Sequence, residues 1–272
     1  MKKNDPLVSV LIPVFNAEMY IVDSINSILA QSYKNIELII LNDASTDQSG
    51  KIAQNFAKKH KNVHYFENTV NKDIAESRNI LVSKARGVYI AWQDADDISL
   101  PDRLRLQVDY LEAHPKVGIL GGWLQFFDES GGTSIRKYDS SDETLRKKIF
   151  RYSPVAQPTA MIRAVALKQA GLYGKDLSPA EDIDMSFRIG VNWEFGNLQS
   201  ICLLYRRHDA SASFSNVKKA EIITLKVRYS FLRNNRYHFT VGSLLYNTLQ
   251  IATIWVPANL RFKIFEIMRN TR

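Results

Sequence analysis

The first hundred residues alternate between short apolar runs and longer stretches with helical spacing. Residues 7–14 form a continuous β-branched run between Pro6 and Asn16, and a run with no polar face reads as a buried parallel strand. Residues 18–31 place Ile21, Ile25, Ile28 and Leu29 at helical spacing, and residues 37–41 are a second strand. Ser45-Thr46-Asp47-Gln48 has the form of a capping box that opens a helix through Ile52, Phe56 and Ala57. A strand over 63–66, a helix over 75–85 and a strand over 88–91 continue the series. This alternation predicts an α/β fold, a Rossmann-like, mostly parallel sheet flanked by helices, whose ligands bind at the carboxyl ends of the strands.

The pattern changes after a helix over 106–114. Residues 117–124 read as a strand and 125–138 as a hairpin excursion turning at Gly131-Gly132; helices follow near 142–150 and 164–170, and a strand over 201–205. Residues 239–260 carry no Asp, Glu, Lys, Arg or His, but Asn247, Gln250, Pro257 and Asn259 make a poor membrane span. They read as helices lying at a membrane surface, or as a segment packing on the main domain or on a second subunit in a homo-oligomer. The expected division is a main domain over 1–217 and a helical tail over 218–272.

Charge sharpens that division. The chain of 272 residues carries a net +8, and ten Lys/Arg against two acids after residue 217 account for all of it. A neutral body with a cationic tail argues against a nucleic-acid groove across the main domain and for an anionic surface meeting the tail. The single cysteine, Cys202, excludes a disulfide within the chain and a cysteine-rich metal site, and fits a reducing compartment. The basic start Met1-Lys2-Lys3 leads to an apolar run that reaches Pro13 quickly, so no secretory signal is read there.

Candidate chemistry concentrates in Trp92-Gln93-Asp94-Ala95-Asp96-Asp97, with three carboxylates in four residues after a buried strand. Such crowding is unfavourable unless a cation shares the site, and oxygen ligands suit Mg2+ or Mn2+ with open positions for phosphates. A solvated acidic turn before a helix starting near Pro101 is the other reading. Asn42-Asp43 ends the second strand, so two acidic strand ends should face one crevice. The first turn, Pro13-Val14-Phe15-Asn16, lacks the glycines of a dinucleotide site, and there is no Walker loop. Hydride transfer and P-loop phosphoryl transfer are therefore disfavoured.

Six segments in order, residues 8–16, Asn42-Asp43-Ala44-Ser45-Thr46-Asp47, Ala75-Glu76-Ser77-Arg78-Asn79, Asp94-Ala95-Asp96-Asp97, Glu181-Asp182 and Tyr205-Arg206-Arg207-His208, resemble family 2 glycosyltransferases of GT-A fold. The resemblance covers roughly residues 7–213 and implies inverting transfer of a sugar from a nucleotide sugar, with UDP favoured, to a glycan or lipid-linked acceptor. It implies an enzyme of envelope or capsule polysaccharide synthesis, cytoplasmic and peripheral at the inner membrane face. Asp43 would read the nucleobase, with Pro13, Phe15 and Asn16 bordering the nucleoside and Arg78 approaching the base or diphosphate. Asp96 would ligate the metal, Asp94 the ribose or the metal through water, and His208 the metal or phosphate. Asp182 would be the general base.

Other roles stand beside these. Asp43 also suits an N-cap. Ser178-Pro179-Ala180-Glu181 has the form of a capping box, in which Glu181 is a cap and Asp182 a partner of the helix dipole; otherwise Glu181 meets the acceptor. Trp123 suits an acceptor sugar or core packing. Asn71-Lys72-Asp73 departs from the family, which more often has a glycine after the asparagine. The rival functions are a sugar-1-phosphate nucleotidyltransferase, which needs a basic glycine-rich loop not seen here, and a noncatalytic membrane or polyanion binder using the tail.

Overall fold

The computed structural model describes residues 5–128, 131–208 and 217–256, and the structural statements below concern these. The N-terminal half follows the alternation: β1 (Val8–Val14), α1 (Ile21–Leu29), β2 (Ile36–Asn42), α2 (Ser49–Lys59), β3 (Val63–Glu67), α3 (Ile74–Lys84) and β4 (Tyr89–Trp92). These strands run parallel in the order β3-β2-β1-β4. Val8, Val10, Ile12 and Val14 point into one core layer with Leu38 and Ile40, whereas Leu11, Ile39 and Leu41 point into the other. Burial on both faces is why the strands read as unbroken apolar runs.

The helix expected from Ser45 starts at Ser49 instead. Asp47 accepts the Ser49 N–H at 2.9 Å and the Glu18 N–H at 3.0 Å, while Ser45 accepts the Asn16 N–H at 3.0 Å. Ser45 thus ties two loops together rather than capping a helix.

The second half is mixed. β5 (Ile98–Ser99), α4 (Arg103–Ala113), β6 (Val117–Phe127), β7 (Thr133–Arg136), α5 (Asp142–Lys148), β8 (Met161–Arg163), α6 (Ala164–Ala170), α7 (Glu181–Asn192) and β9 (Glu194–Arg206) follow. β8 lies antiparallel between β4 and β6; β9 runs parallel to β6; β5 pairs antiparallel with the end of β9. That last pairing carries Arg206 back to the acidic turn after β4. The Gly131-Gly132 hairpin is present between β6 and β7, whose strands pair antiparallel.

In the tail, α8 (Val217–Ser230) and α9 (Val241–Ala252) pack on the body. Ile223, Val227 and Tyr237 join Phe150 and Phe187 in one core layer; the Tyr237 hydroxyl donates to the Phe187 carbonyl, and Asn247 donates to the Phe150 carbonyl at 2.8 Å. Among the described residues no helix is long and apolar enough to cross a membrane.

Gly190 on α7 marks this junction. A Cβ there would stand 2.3 Å from both Phe195 Cζ and the Tyr237 hydroxyl. Gly190→Ala should therefore lower stability by about 1–3 kcal/mol, the range for overpacking a filled site, as read from the denaturant midpoint. An unchanged midpoint would mean that the segment between α8 and α9 is not seated there.

Candidate active site

In a sheet ordered β3-β2-β1-β4, successive crossovers change direction between β1 and β4, and the crevice beyond their carboxyl ends is the natural ligand site. The loops at this edge are held in uncommon backbone. Asn16, Ala44 and Asp73 all have positive φ, at 49°, 59° and 74°, without being glycine. Such conformations cost energy and persist where side chains fix them. Asn16 accepts the Thr46 N–H at 2.9 Å, and Asp73 accepts from its neighbour Ile74 N–H at 2.6 Å and from the Ser178 hydroxyl at 2.7 Å.

Asp43 is buried at the end of β2, where its carboxylate accepts from Asn68 at 2.7 Å and from the Lys72 N–H at 3.0 and 3.2 Å. It anchors the loop before α3 and caps no helix. Pro13 is half-buried in β1, and Phe15 presents a ring 52% exposed at the rim.

The acidic turn rests on a buried polar bed. Gln93 donates to the Asp97 carbonyl at 2.9 Å and accepts from the Ser99 hydroxyl at 2.6 Å and from Arg103 at 3.1 Å. Arg103, fully buried, also donates to the Trp92 carbonyl at 2.8 Å. Burial lowers its guanidinium to about 10, so it remains a cation at neutral pH beneath three carboxylates. Asp97 is buried too and accepts the Arg206 N–H at 3.0 Å; Arg206 Nε donates to the Asp96 carbonyl at 3.0 Å, and the guanidinium lies 4.9 Å over the Tyr20 ring. These contacts bring His208 against Asp96, with Nε2 and Oδ2 2.9 Å apart and Tyr20 beside the imidazole.

The second wall comes from α3 and the start of α7. Arg78 is buried, sits 5.4 Å over Trp92 and 5.7 Å over Tyr173, and forms a short ion pair with Glu181. Glu181 is therefore not at an acceptor surface and caps nothing. α7 begins without a side-chain cap, because Ser178 donates to Asp73 instead. Asp182 is half-buried next to this pair and accepts the Ile183 N–H at 2.8 Å.

Electrostatics tie the walls together. Burial and the Asp96 carboxylate push Asp94 up to about 6, and burial with Asp94 and Asp96 lifts Asp97 well above the usual carboxylate range. Burial raises Asp182, with Arg78 opposing; burial alone would lower Arg78, but Glu181, Tyr173, Asp94 and Asp182 hold it above its ordinary value. Asp94, Arg78 and Asp182 thus share one field, and Asp43 is connected to this wall by hydrogen bonds, through the loop whose Lys72 N–H it accepts and whose Asp73 accepts from Ser178.

Trp123 is a packing residue. It lies against the cluster of Leu124, Tyr138 and Leu203, and its indole N–H donates to the Tyr138 carbonyl at 3.2 Å. Sequence reasoning missed Gln93, Arg103 and Tyr20 and left Arg206 open. An arginine at a helix start reads as solvated, and only the path of the turn above it shows why Arg103 is inside.

Among the described residues no three His, Cys, Asp or Glu side chains form a ready-made ligand group. Asp96 and His208 nevertheless meet, and Asp97 Oδ2 and His208 Nδ1 are buried without a hydrogen-bond partner. Carboxylate oxygen with imidazole nitrogen is a donor set that fits Mn2+ and, less well, Mg2+.

Residues 9–170 match the sequence pattern of Glycosyl transferase family 2. The chain belongs to that family. The transferase is similar to the putative glycosyltransferase EpsE of Bacillus subtilis (strain 168), 38% identical over 213 residues that cover 77% of this chain and 75% of that protein. It is also similar to the uncharacterized glycosyltransferase MJ1057 of Methanocaldococcus jannaschii, 31% identical over 244 residues, 86% of this chain and 82% of that one. Two solved structures share its fold. S. aureus TarS 1-349 in complex with UDP-GlcNAc superposes with a TM-score of 0.68 at 19% identity, covering 84% of this chain and 67% of that one. The mannosyltransferase PcManGT from Pyrobaculum calidifontis, in complex with GDP-Man and Mn2+, gives 0.64 at 16% identity, covering 98% and 81%. The helix-flanked sheet of the transferase is the GT-A fold.

A carboxyl raised by folding favours its protonated form in the native state. Its contribution is present below its unfolded value and is lost as pH rises through the raised one. Ionising Asp182 in the folded protein is therefore a cost. Asp182→Asn should raise the thermal midpoint at pH 7, with the gain shrinking as pH falls below the raised value. A lower midpoint at pH 7 would show that Asp182 supports the fold instead.

Proposed function

We propose that the transferase moves a sugar, with inversion, from a nucleoside diphosphate sugar to a hydroxyl of a glycan or lipid-linked acceptor. The observation that supports this reading is that Asp182 lies in the same field as Asp94 of the acidic turn and Arg78. The acceptor oxygen bonds to the anomeric carbon, its proton passes to the Asp182 carboxylate, and the bond from the anomeric carbon to the phosphate oxygen breaks. The nucleoside diphosphate leaves with that electron pair. A carboxylate raised by desolvation is a better base than an ordinary one, and the acceptor lowers its hydration further.

The loops support a place for the donor. A carboxylate offers about four lone-pair directions, and the contacts of Asp43 with Asn68 and Lys72 leave room for a base N–H. Phe15 and Asn16 stand at the same rim. Arg78 supplies permanent positive charge between the two walls. Asp96 and His208 would hold Mn2+ or Mg2+, with Asp94 adjacent, and an ion bound there would supply positive charge for the departing diphosphate. UDP is the nucleotide we favour, because the TarS complex contains UDP-GlcNAc; the metal reading draws support from the Mn2+ in the PcManGT complex. We place the reaction in cell-surface polysaccharide synthesis, at the inner face of the membrane.

Screening nucleotide sugars for Mn2+-dependent nucleotide release tests this directly. Release of a nucleoside diphosphate supports transfer, whereas pyrophosphate release from a nucleoside triphosphate would support a nucleotidyltransferase. Asp182→Asn should bind donor yet lose transfer by about two to four orders of magnitude. In the wild type, kcat/KM should fall with acid through a value above the usual carboxylate range, as the raised base takes up its proton. Near-normal turnover of Asp182→Asn would reject the assignment.

A further inference from the structure

Helix α9 is mounted inside out. The residues it buries against the body are polar: Ser243 and Asn247 are fully buried, and Gln250 nearly so. They are satisfied there, because Asn247 donates to the Phe150 carbonyl while Asn247 and Gln250 accept from the buried Arg228 at 3.3 and 3.0 Å. The outward face is apolar. Val241, Leu244, Leu245, Ile251 and, just past the helix, Trp255 are all exposed, with Trp255 at 82%. At 3.6 residues per turn these positions fall within one stripe, shared only with the small Thr248 and Ala252. Scattered exposed apolar residues need no explanation, but a stripe backed by a satisfied polar seam does.

We propose that this stripe is a docking surface for an anionic lipid bilayer. Charge decides the occupant. Lys218 and Lys219 are exposed at the start of α8, and the Lys218 ammonium sits 3.2 Å over the Trp255 ring, so cation and aromatic share the edge of the stripe. Lys226 is exposed about two turns further along, and the sequence beyond residue 256 adds Arg261, Lys263, Arg269 and Arg272 against Glu266 alone. A second copy meeting the same face would bring two cationic tails together. An anionic headgroup layer instead accepts the lysines while its acyl boundary accepts Leu245 and Trp255. The arrangement gives the membrane-located acceptor proposed above a physical basis, and it rests on that reading only for its purpose.

The test uses the full chain in flotation with vesicles of phosphatidylglycerol and phosphatidylcholine, beside vesicles of phosphatidylcholine alone. The wild type should float with the anionic vesicles, less so at high salt, and hardly with the neutral ones. Leu245→Glu/Trp255→Glu should melt like the wild type and partition at least roughly tenfold less. Trp255→Ala, which removes an exposed ring and its contact with Lys218, should weaken binding in the same direction if the double variant does not fold. Asp182→Asn should float as the wild type does, so that loss of transfer and loss of docking are read separately. Undiminished binding by the folded variants, no binding of the wild type to anionic vesicles, or a solution dimer abolished by Leu245→Glu would each overturn the proposal.

Discussion

Two buried guanidinium groups make an otherwise unfavourable gathering of carboxylates possible. Arg103 lies under the acidic turn, joined to Gln93, Ser99 and the Trp92 carbonyl. Arg78 lies behind the facing wall, paired with Glu181 and close enough to Asp94 and Asp182 to be influenced by both. Removing one partner of such a pair leaves an uncompensated buried charge, which costs far more than the pair contributes. The two cations therefore help fix where the acidic residues are without pairing directly with Asp94, Asp96 or Asp182. That residual negative charge is what a metal-bound diphosphate and an acceptor proton would meet.

The same economy appears in the loops. Asp43, Ser45, Asp47, Asp73 and Ser178 each tie one loop to another across the carboxyl edge of the sheet. Three non-glycine residues in left-handed backbone are stabilised by these ties. A rim built this way is set before any ligand arrives, which reduces the ordering cost of binding.

The parallel half of the sheet was legible because its strands are buried on both faces and separated by helices of ordinary length. β5 and β8 were not, since two and three residues cannot display a period. Both capping boxes misled for one reason: Ser45 and Ser178 found partners distant in sequence, and local pattern cannot show that competition. The acidic turn was read from its crowded carboxylates, whereas the roles of Asp43 and Asp182 came from resemblance; the fold sets Asp43 and the acidic turn at the carboxyl edge of the sheet and brings Asp182 within the field of Asp94. Arg103 and the pairing of Glu181 with Arg78 depend on which side of the turn each helix passes, which composition does not encode. In the tail, the sequence showed an uncharged segment but not that its polar residues face inward.

The proposed role of Asp96, with His208, is to hold a cation that brings a nucleoside diphosphate to this site. Calorimetric titration of UDP into the wild type and into Asp96→Asn, with and without Mn2+, tests it most directly. Binding by the wild type should require Mn2+ and be lost in Asp96→Asn. Binding of equal strength in both proteins, indifferent to the metal, would contradict it.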